Sequence, residues 1–356
     1  MIRNCVKLSA LFGLAASTQA RAEDAYFRVV DVGNALCVVA KAPGNNYMLF
    51  DAGNHNTRQC QKAVREIVKD KKIDLVVLGH SDADHVGEFA DIFRSRSGMD
   101  IGQLIYTGRP GTAKKAWPEV AATIKRIEME GKRQGRRIVR NLRDEPLPNT
   151  LGRKPLTVKL GDAAVTFVAG WNNWRNGNEA GAALSQSEKN NVVSIVAKFT
   201  YAGRSVLLTG DTVGRVAGDK PDACRYAEKW MVEKSRVALK SDVLIGQHHG
   251  GDNSSSTCFI KAAAPDYVVF PAGHVKDYDH PRQSAAERFL RQGIPASRIF
   301  RTDRGDDQGA KEWNYGRTRN CKDKTGDDDI EIFIPSNPAK PVRVQYRTVN
   351  GVCALR

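Results

Sequence analysis

The sequence predicts a mixed α/β fold, and three observations carry that expectation. Short apolar runs of strand length recur and end on small or polar residues: NNYMLFDAG (45–53), DLVVLGH (74–80), SVLLTGD (205–211), DVLIGQHHG (242–250) and DYVVFPAGH (266–274). They are rich in Val, Leu and Ile and bounded by Gly, the pattern of buried strands. Helical periodicity separates some of these runs and hairpin signals separate others, so the chain departs from a strict βαβ series.

Taken in order, AYFRVVDVG (25–33) alternates as a half-buried strand. TRQCQKAVREIVKD (57–70) sets Val64, Ile67 and Val68 on one helical face, and GEFADIFRS (87–95) does the same with Phe89, Ile92 and Phe93. Residues 113–143 are basic and helix-prone, with Lys125, Arg126, Lys132, Arg133, Arg136, Arg137, Arg140 and Arg143 against Glu119, Glu128 and Glu130. A solvated helix followed by an edge strand, RRIVRNL, accounts for the stretch better than a phosphate track, although some of these charges are expected to border the substrate. LTVKLGDAAVTFVAG (156–170) reads as a hairpin around Gly161-Asp162, and VVSIVAKFTYAGRSVLL (192–208) turns at Ala202-Gly203. SAAERFLRQG (284–293) is a helix that stops at a Gly. No internal repeat is present, and the candidate linkers are Asn172 to Glu188 and Gly305 to Asp329.

The first 22 residues read as a leader. Arg3 and Lys7 precede an apolar stretch from Leu8 to Ala16, and Ala20-Arg21-Ala22 forms an A-x-A cleavage site. That stretch is well short of the roughly 20 residues a bilayer span needs. The expectation is a cleaved signal peptide over 1–22 and one domain over 23–356, periplasmic or secreted, with no stable membrane insertion. Without Cys5, six cysteines remain: Cys37, Cys60, Cys224, Cys258, Cys321 and Cys353. An even number in an exported chain suggests up to three disulfides, and the lack of any CxxC pair argues against a thiolate metal site. The formal charge of +15 falls to +12 without Arg3, Lys7 and Arg21. Such an excess favours a polyanionic substrate, nucleic acid among them. The residues carry no signal of oligomeric state.

LGHSDADHVG (78–87) concentrates His80, Asp82, Asp84 and His85 directly after an apolar strand. Asp51, His80, Asp211 and His248 each follow the end of an apolar run, and open α/β sheets gather ligands at the carboxyl ends of their strands. Such positions converge although far apart in sequence. Imidazoles and carboxylates without sulfur suit one or two divalent ions, Zn²⁺ or Mn²⁺ first and Mg²⁺ after them. A polar capping loop, with Asp82 or Asp84 as N-cap, would explain HSDADH alone. It does not explain TGD and HHGG at matching strand ends.

HSDADHVG resembles the metal-binding signature of the metallo-β-lactamase superfamily, His-x-His-x-Asp-His, with Asp82 in place of the second His. That replacement is typical of one branch, the metallo-β-lactamase domains of ComEC-type competence (DNA-uptake) proteins and their soluble relatives. The resemblance continues in order through VVDVGNALCVV, MLFDAGN, NNVVSIVAKFTYAGRSVLLTGD, LIGQHHGGDNSSS, DHPRQSAAERFLRQGI and IFRTDRGD, covering about residues 27 to 310. It implies a four-layer αβ/βα sandwich and a first metal loop of His80, Asp82, Asp84 and His85. Asp211 is then the aspartate that bridges or ligates the metals, and His248 or His249 is the late histidine, with Ser254 to Ser256 on the same loop. Asn190 or Asn191 faces the substrate or forms a strand-entry turn, and Asp51 supports the first loop by hydrogen bonding. His280 is a proton donor, a supporting group or a turn residue; His55 and His274 match no motif position.

Three departures qualify the resemblance. DVGNALC (31–37) lacks the Gly-Asp that ends the relatives' Asp-Val-Gly-Gln-Gly-Asp. No histidine lies between His85 and His248, which leaves the metal count open and argues against β-lactam hydrolysis. The insertion at 169–186 has no match, and its Trp171 and Trp174 either pack or stack on bases. The resemblance thus implies a metal-dependent hydrolase in which activated water attacks a phosphodiester, DNA being the first substrate class. Asp84 is the candidate to orient or deprotonate that water, with His280 and Asn191 beside it. The rival readings are a small-molecule hydrolase, acting on phosphorylcholine-type diesters, lactones or other esters, and a metal-binding protein without turnover.

Overall fold

Two mixed sheets face each other, as a computed structural model of the chain shows. It describes residues 23–347 apart from 70–71, 96–97, 108–115, 146, 148–153, 171–183, 217, 221, 236, 274, 276–277, 305–308, 316–325 and 327. The leader, Trp171, Trp174, His274, Cys321 and Cys353 lie outside the described residues.

The first sheet is built on β1 (Ala25–Val29), β2 (Val38–Ala42) and β3 (Asn46–Phe50), which pair antiparallel in sequence order. It continues parallel through β4 (Lys72–Leu78), β5 (Asp100–Tyr106) and β6 (Val139–Asn141). The second sheet opens with β7 (Thr157–Leu160), β8 (Ala163–Ala169), β9 (Val196–Tyr201) and β10 (Arg204–Leu208), all antiparallel. It ends with the parallel strands β11 (Val243–Ile245), β12 (Tyr267–Phe270) and β13 (Ile299–Arg301). The late strands β14 (Ile330–Ile334) and β15 (Arg343–Tyr346) return to extend the first sheet beyond β1. Both expected hairpins form where placed, Gly161 and Gly203 taking the positive φ of their turns.

Strand alternation explains the layers. In β4, Leu75 and Val77 point into a core shared with Val165, Phe167, Phe199 and Val206 of the second sheet. Val76 and Leu78 point the other way, against α1 (Gln59–Ile67) and α4 (Trp117–Arg133) through Cys60, Val64, Val120 and Ile124. The second sheet does likewise: Leu207, Leu244 and Val268 pack on α6 (Tyr226–Lys234), α7 (Thr257–Ala263) and α8 (Gln283–Arg291). The order helix, sheet, sheet, helix is the four-layer αβ/βα sandwich. Central strands buried on both faces must read as continuous apolar runs, which is why those runs stood out. The remaining helices are short: α2 (Ala83–Val86), α3 (Phe89–Ile92) and α5 (Gln186–Asn191).

Several boundaries differ from expectation. The strand at 25–33 stops at Val29 because Asp31 turns its carboxylate to the backbone N–H groups of Gly33 and Gly326. The linker expected at 305–329 contains buried Asp328 and Asp329, which accept hydrogen bonds from the Arg304 and Asp31 backbones. The linker expected at 172–188 runs into α5, whose Ser185 and Glu188 form a reciprocal capping box. RRIVRNL yields the edge strand β6, as expected.

Two disulfides join Cys37 to Cys60 and Cys224 to Cys258, with Cα separations of 5.8 and 5.9 Å. The first ties the approach of β2 to α1 and the second ties the approach of α6 to α7. They close loops of 23 and 34 residues. In the chain-entropy account each contributes about 3–4 kcal/mol by restricting the unfolded chain. Replacing either pair by Ser is therefore expected to lower Tm by roughly 5–10 °C, measured by calorimetry. An unchanged Tm would show that the crosslink constrains nothing.

Candidate metal centre

The carboxyl ends of β3, β4, β10 and β11 meet at one edge of the sandwich, and the polar residues that follow them converge there. Asp51, fully buried and with φ of 58°, follows β3. Its carboxylate accepts the Gly79 N–H at 2.5 Å and the His85 Nδ1–H at 2.7 Å. A Cβ at Gly79 would stand 2.9 Å from that carboxylate, so the close approach requires glycine. Asp51 therefore sets the entry of the first loop and the orientation of His85, the supporting role expected of it.

The loop itself folds into the single turn α2. Asp82 precedes it in extended conformation and its side chain makes no capping bond. Its carboxylate instead faces the His80 Nε2 at 3.7 Å and accepts the Asn190 Nδ2–H at 3.4 Å. The capping explanation for HSDADH thus fails on geometry.

Asp211 sits between two sets of imidazoles. Its Oδ1 lies 3.1 Å from His85 Nε2 and 3.6 Å from His249 Nε2, and Asp84 Oδ2 stands 3.5 Å from the same His249 nitrogen. Its Oδ2 lies 3.8 Å from His80 Nε2 and 3.8 Å from His248 Nε2. Ligand atoms from Asp84, His85, Asp211 and His249 all fall within 4.8 Å of one another. With metal–ligand bonds of about 2.1 Å, tetrahedral neighbours stand about 3.4 Å apart, close to the spacings here.

Polar accounting points the same way. His80 Nε2, His85 Nε2, His249 Nε2 and Asp211 Oδ1 are buried without a hydrogen-bond partner. Each such atom costs about 1–3 kcal/mol unless something satisfies it. Among the described residues, no Lys or Arg pairs with Asp82, Asp84 or Asp211, so imidazoles are the groups of positive charge that these three carboxylates face. A divalent cation meets both needs, and the nitrogen and oxygen donor set fits Zn²⁺ and Mn²⁺ alike. Without it the titrations are strongly displaced. Burial pushes His80 down to about 4, and burial with the nearby Asp84 pushes Asp82 up to about 6. Burial also opposes the charges of Asp84 and His85. Even so, His249 and His85 hold Asp84 down to about 2, while Asp211 and Asp51 hold His85 well above its usual value.

The late loop departs from its sequence description. β11 stops at Ile245, and His248 and His249 follow in a 3₁₀ turn with φ of 46° and 55°. These left-handed conformations cost about 1–3 kcal/mol each and aim both rings inward. His249 donates Nδ1–H to the Pro271 carbonyl at 2.7 Å. Ser254, Ser255 and Ser256 are fully buried and brace the loop, Ser254 Oγ donating to the Gln247 carbonyl and Ser255 Oγ to the Gln247 side chain. Glu228 of α6, fully buried, accepts hydrogen bonds from the Ser255 and Ser256 backbones at 2.7 Å each and from Gln247 Nε2 at 3.2 Å. Sequence reasoning missed Glu228, because a Glu in a polar helix carries no mark of burial.

A cleft of 1010 Å³ opens over the centre. Asn191 Nδ2 approaches His248 Nε2 at 3.2 Å from its wall. His280 stands 5.7 Å from the His248 ring and 6.0 Å from the His249 ring, stacked against Tyr278. Its Nδ1 meets Asn34 Oδ1 at 3.1 Å, and burial with the neighbouring His248 and His249 holds its pKa well below the usual value. A neutral ring whose Nδ1–H is spent on Asn34 offers its other nitrogen as an acceptor, which does not suit the proton-donor reading. His55 is exposed. The charges of residues 113–143 do not reach the cleft lining among the described residues. On α4, Arg126 pairs with Glu130 and Lys132 with Glu128, as on a solvated helix.

Comparisons with known proteins follow this geometry. Residues 30–100 match the family model described as the metallo-beta-lactamase superfamily. Over 297 residues the chain is 26% identical to the competence protein ComA of Neisseria gonorrhoeae, a match covering 83% of this chain and 33% of that protein. The chain thus spans about a third of the length of the curated relative it matches. Among solved structures, the metallo-beta-lactamase fold protein YhfI of Bacillus subtilis aligns with TM-score 0.42 and 12% identity, covering 78% of this chain and 96% of that one. A diphosphatase from the PhnP family aligns with TM-score 0.40 and 13% identity, covering 88% and 99%. The sheet order and the four layers, rather than these likenesses, carry the fold.

Proposed function

From the premise of a metallo-beta-lactamase-superfamily protein of the ComEC type, which the family match and the competence relative support, we propose that this metal-dependent hydrolase cleaves phosphodiester bonds. Nucleic acid, DNA first, is the proposed substrate. The carrying observation is the meeting, around Asp211 at the end of β10, of imidazoles that follow β4 and β11, with the partnerless buried nitrogens of His80, His85 and His249 turned to a common centre.

His80, Asp82, Asp84, His85, Asp211, His248 and His249 would hold one or two divalent ions. When bound, such ions lower the pKa of water towards neutrality and offset charge developing on a phosphate. The chain's own residues orient and exclude. Asp51 and the Pro271 carbonyl keep His85 and His249 in the tautomer whose Nε2 faces the centre. His280, neutral and tethered to Asn34, offers an acceptor to a hydroxyl or water at the cleft wall. Asp84, whose charge His249 and His85 favour, would serve as a ligand beside His249 and can orient the attacking water or take its proton.

The DNA reading draws on the resemblance to the DNA-uptake branch and on the formal charge of +15. A second reading, a smaller diester, is favoured by one observation. The described lining carries Asp82, Asp84, Glu188, Asp211, Asp252 and Glu287 against only two cations, Arg282 and Lys311. A panel of single- and double-stranded DNA, RNA, a chromogenic phosphodiester and a β-lactam, each with Zn²⁺ or Mn²⁺, tests both. Cleavage of DNA, weakening as salt rises, is the expected result. Turnover confined to the chromogenic diester and insensitive to salt would favour the second reading, and no diester turnover would overturn both.

Export to an oxidising compartment is part of the proposal, supported by the leader pattern and the two disulfides. Among the described residues no helix is long and apolar enough to cross a membrane. Recovery of the protein from cells with its leader intact would overturn export.

A further inference from the structure

A histidine ligates only through an unprotonated ring nitrogen, so a hydrogen bond that fixes the proton on the other nitrogen prepares it to bind metal. For His85 and His249 the setting groups are Asp51 and the Pro271 carbonyl. His248 has a longer arrangement. Its Nδ1 lies 2.7 Å from Asn253 Oδ1, and Asn253 Nδ2 donates to Glu188 Oε1 at 3.1 Å. Because the carboxylate accepts only, it holds the amide nitrogen on its side and turns the amide oxygen to His248. That oxygen in turn takes the Nδ1–H, which leaves the Nε2 lone pair to accept the Asn191 Nδ2–H at 3.2 Å, on the side where Asp211 Oδ2 stands 3.8 Å away.

Glu188 is itself fixed. Its carboxylate accepts the Ser185 N–H and Oγ–H at 2.9 Å each within the capping box of α5. Burial disfavours its charge, but the Ser185 and Asn253 bonds hold its pKa below the usual range, so it stays an acceptor. The same helix sends Asn190 to Asp82 and Asn191 to His248. One short helix thus touches both the early and the late loop.

We propose that Glu188 and Asn253 are positioning residues that hold His248 as the Nδ1–H tautomer, so that its Nε2 serves the Asp211 Oδ2 side of the centre together with His80 and Asp82. This rests on the metal-dependent reading above. It accounts for a chain with no histidine between His85 and His248, since the late loop then supplies an imidazole to each oxygen of Asp211. The left-handed backbone at His248, with φ of 46°, is the conformation that turns this ring towards the centre.

The test uses the full chain labelled with ¹⁵N-histidine, read by long-range ¹⁵N–¹H spectra without metal and by Zn²⁺ titration. In the unaltered protein His248 should carry its proton on Nδ1. Asn253→Ala should weaken that preference, leaving only the Asn191 Nδ2–H at Nε2 to support it, and should lower Zn²⁺ affinity about 10–100-fold. Asn253→Asp combined with Glu188→Gln, whose amide can donate to one oxygen of the new carboxylate while the other accepts from His248, should restore the tautomer. A His248 protonated on Nε2 in the unaltered protein, or Asn253→Ala binding Zn²⁺ as tightly as the parent, overturns the proposal. Failure of the unaltered protein to bind Zn²⁺ at all overturns the metal reading as well, a result distinct from either.

Discussion

Asp211→Asn is expected to reduce turnover by about 10³-fold or more and to release metal from the protein. The exchange keeps side-chain size but removes the charge and replaces one carboxylate oxygen with a donor. Oδ1 faces His85 and His249 and Oδ2 faces His80 and His248. Whichever position the new NH₂ takes, one pair of imidazoles faces a donor in place of an anionic oxygen able to share a metal with them. Metal stabilisation of the transition state is worth several kcal/mol, and each loss of about 1.36 kcal/mol slows the reaction tenfold. The backbone contacts stay, because the Asp211 N–H bonds Ser194 Oγ whatever the side chain. Elemental analysis of the purified variant, alongside turnover on the substrate found in the panel, checks the expectation. Full metal content with parental turnover would remove Asp211 from the centre.

The fold was legible where one physical signal dominated. Continuous apolar runs marked β4 and β10 because both their faces are covered, and alternation with Gly marked the β7–β8 and β9–β10 hairpins. The early loop was legible for a related reason: His80, Asp82, Asp84 and His85 are dense enough in sequence to stand out before folding. The groups that organise them were not. Glu228, Glu188 and Asn253 sit among polar neighbours, and their roles arise only when α5, α6 and the late loop meet. Strand length misled at β11, where a strand of three residues and a strained turn, rather than a strand end, deliver His248 and His249. At 113–143 weighing the cations against Glu128 and Glu130 led to the solvated helix that α4 is, with Arg126 paired to Glu130 and Lys132 to Glu128. The expectation that some of these charges border the substrate is not met by the described cleft lining.

Asp51→Asn is the second large expected effect, and it acts without touching the metal ligands' identity. The Asp51 carboxylate accepts two hydrogen bonds at once, from the Gly79 N–H and from His85 Nδ1. An amide has one acceptor oxygen, so its NH₂ must face one of those two donors. If the oxygen keeps Gly79, His85 must give up its Nδ1 proton to avoid two opposed donors. The ring then carries its proton on Nε2, the nitrogen that stands 3.1 Å from Asp211 Oδ1. If the oxygen keeps His85, the backbone at Gly79 is left unsatisfied and the first loop loosens, at a cost of about 1–3 kcal/mol. Either way His85 is a poorer ligand. Metal affinity should fall about 10–100-fold, and turnover about 10⁴-fold if the wrong tautomer dominates, the size of loss that follows when an aspartate-to-asparagine change leaves a catalytic imidazole in place but in the wrong tautomer. Unlike Asp211→Asn, this variant keeps every ligand, so saturating Zn²⁺ or Mn²⁺ should drive His85 back towards the ligating tautomer and recover part of the activity. A circular-dichroism spectrum matching the parent separates this effect from unfolding. Parental metal affinity in a folded Asp51→Asn protein would show that His85 needs no partner to face Asp211, and the account of how the loop is set would fall with it.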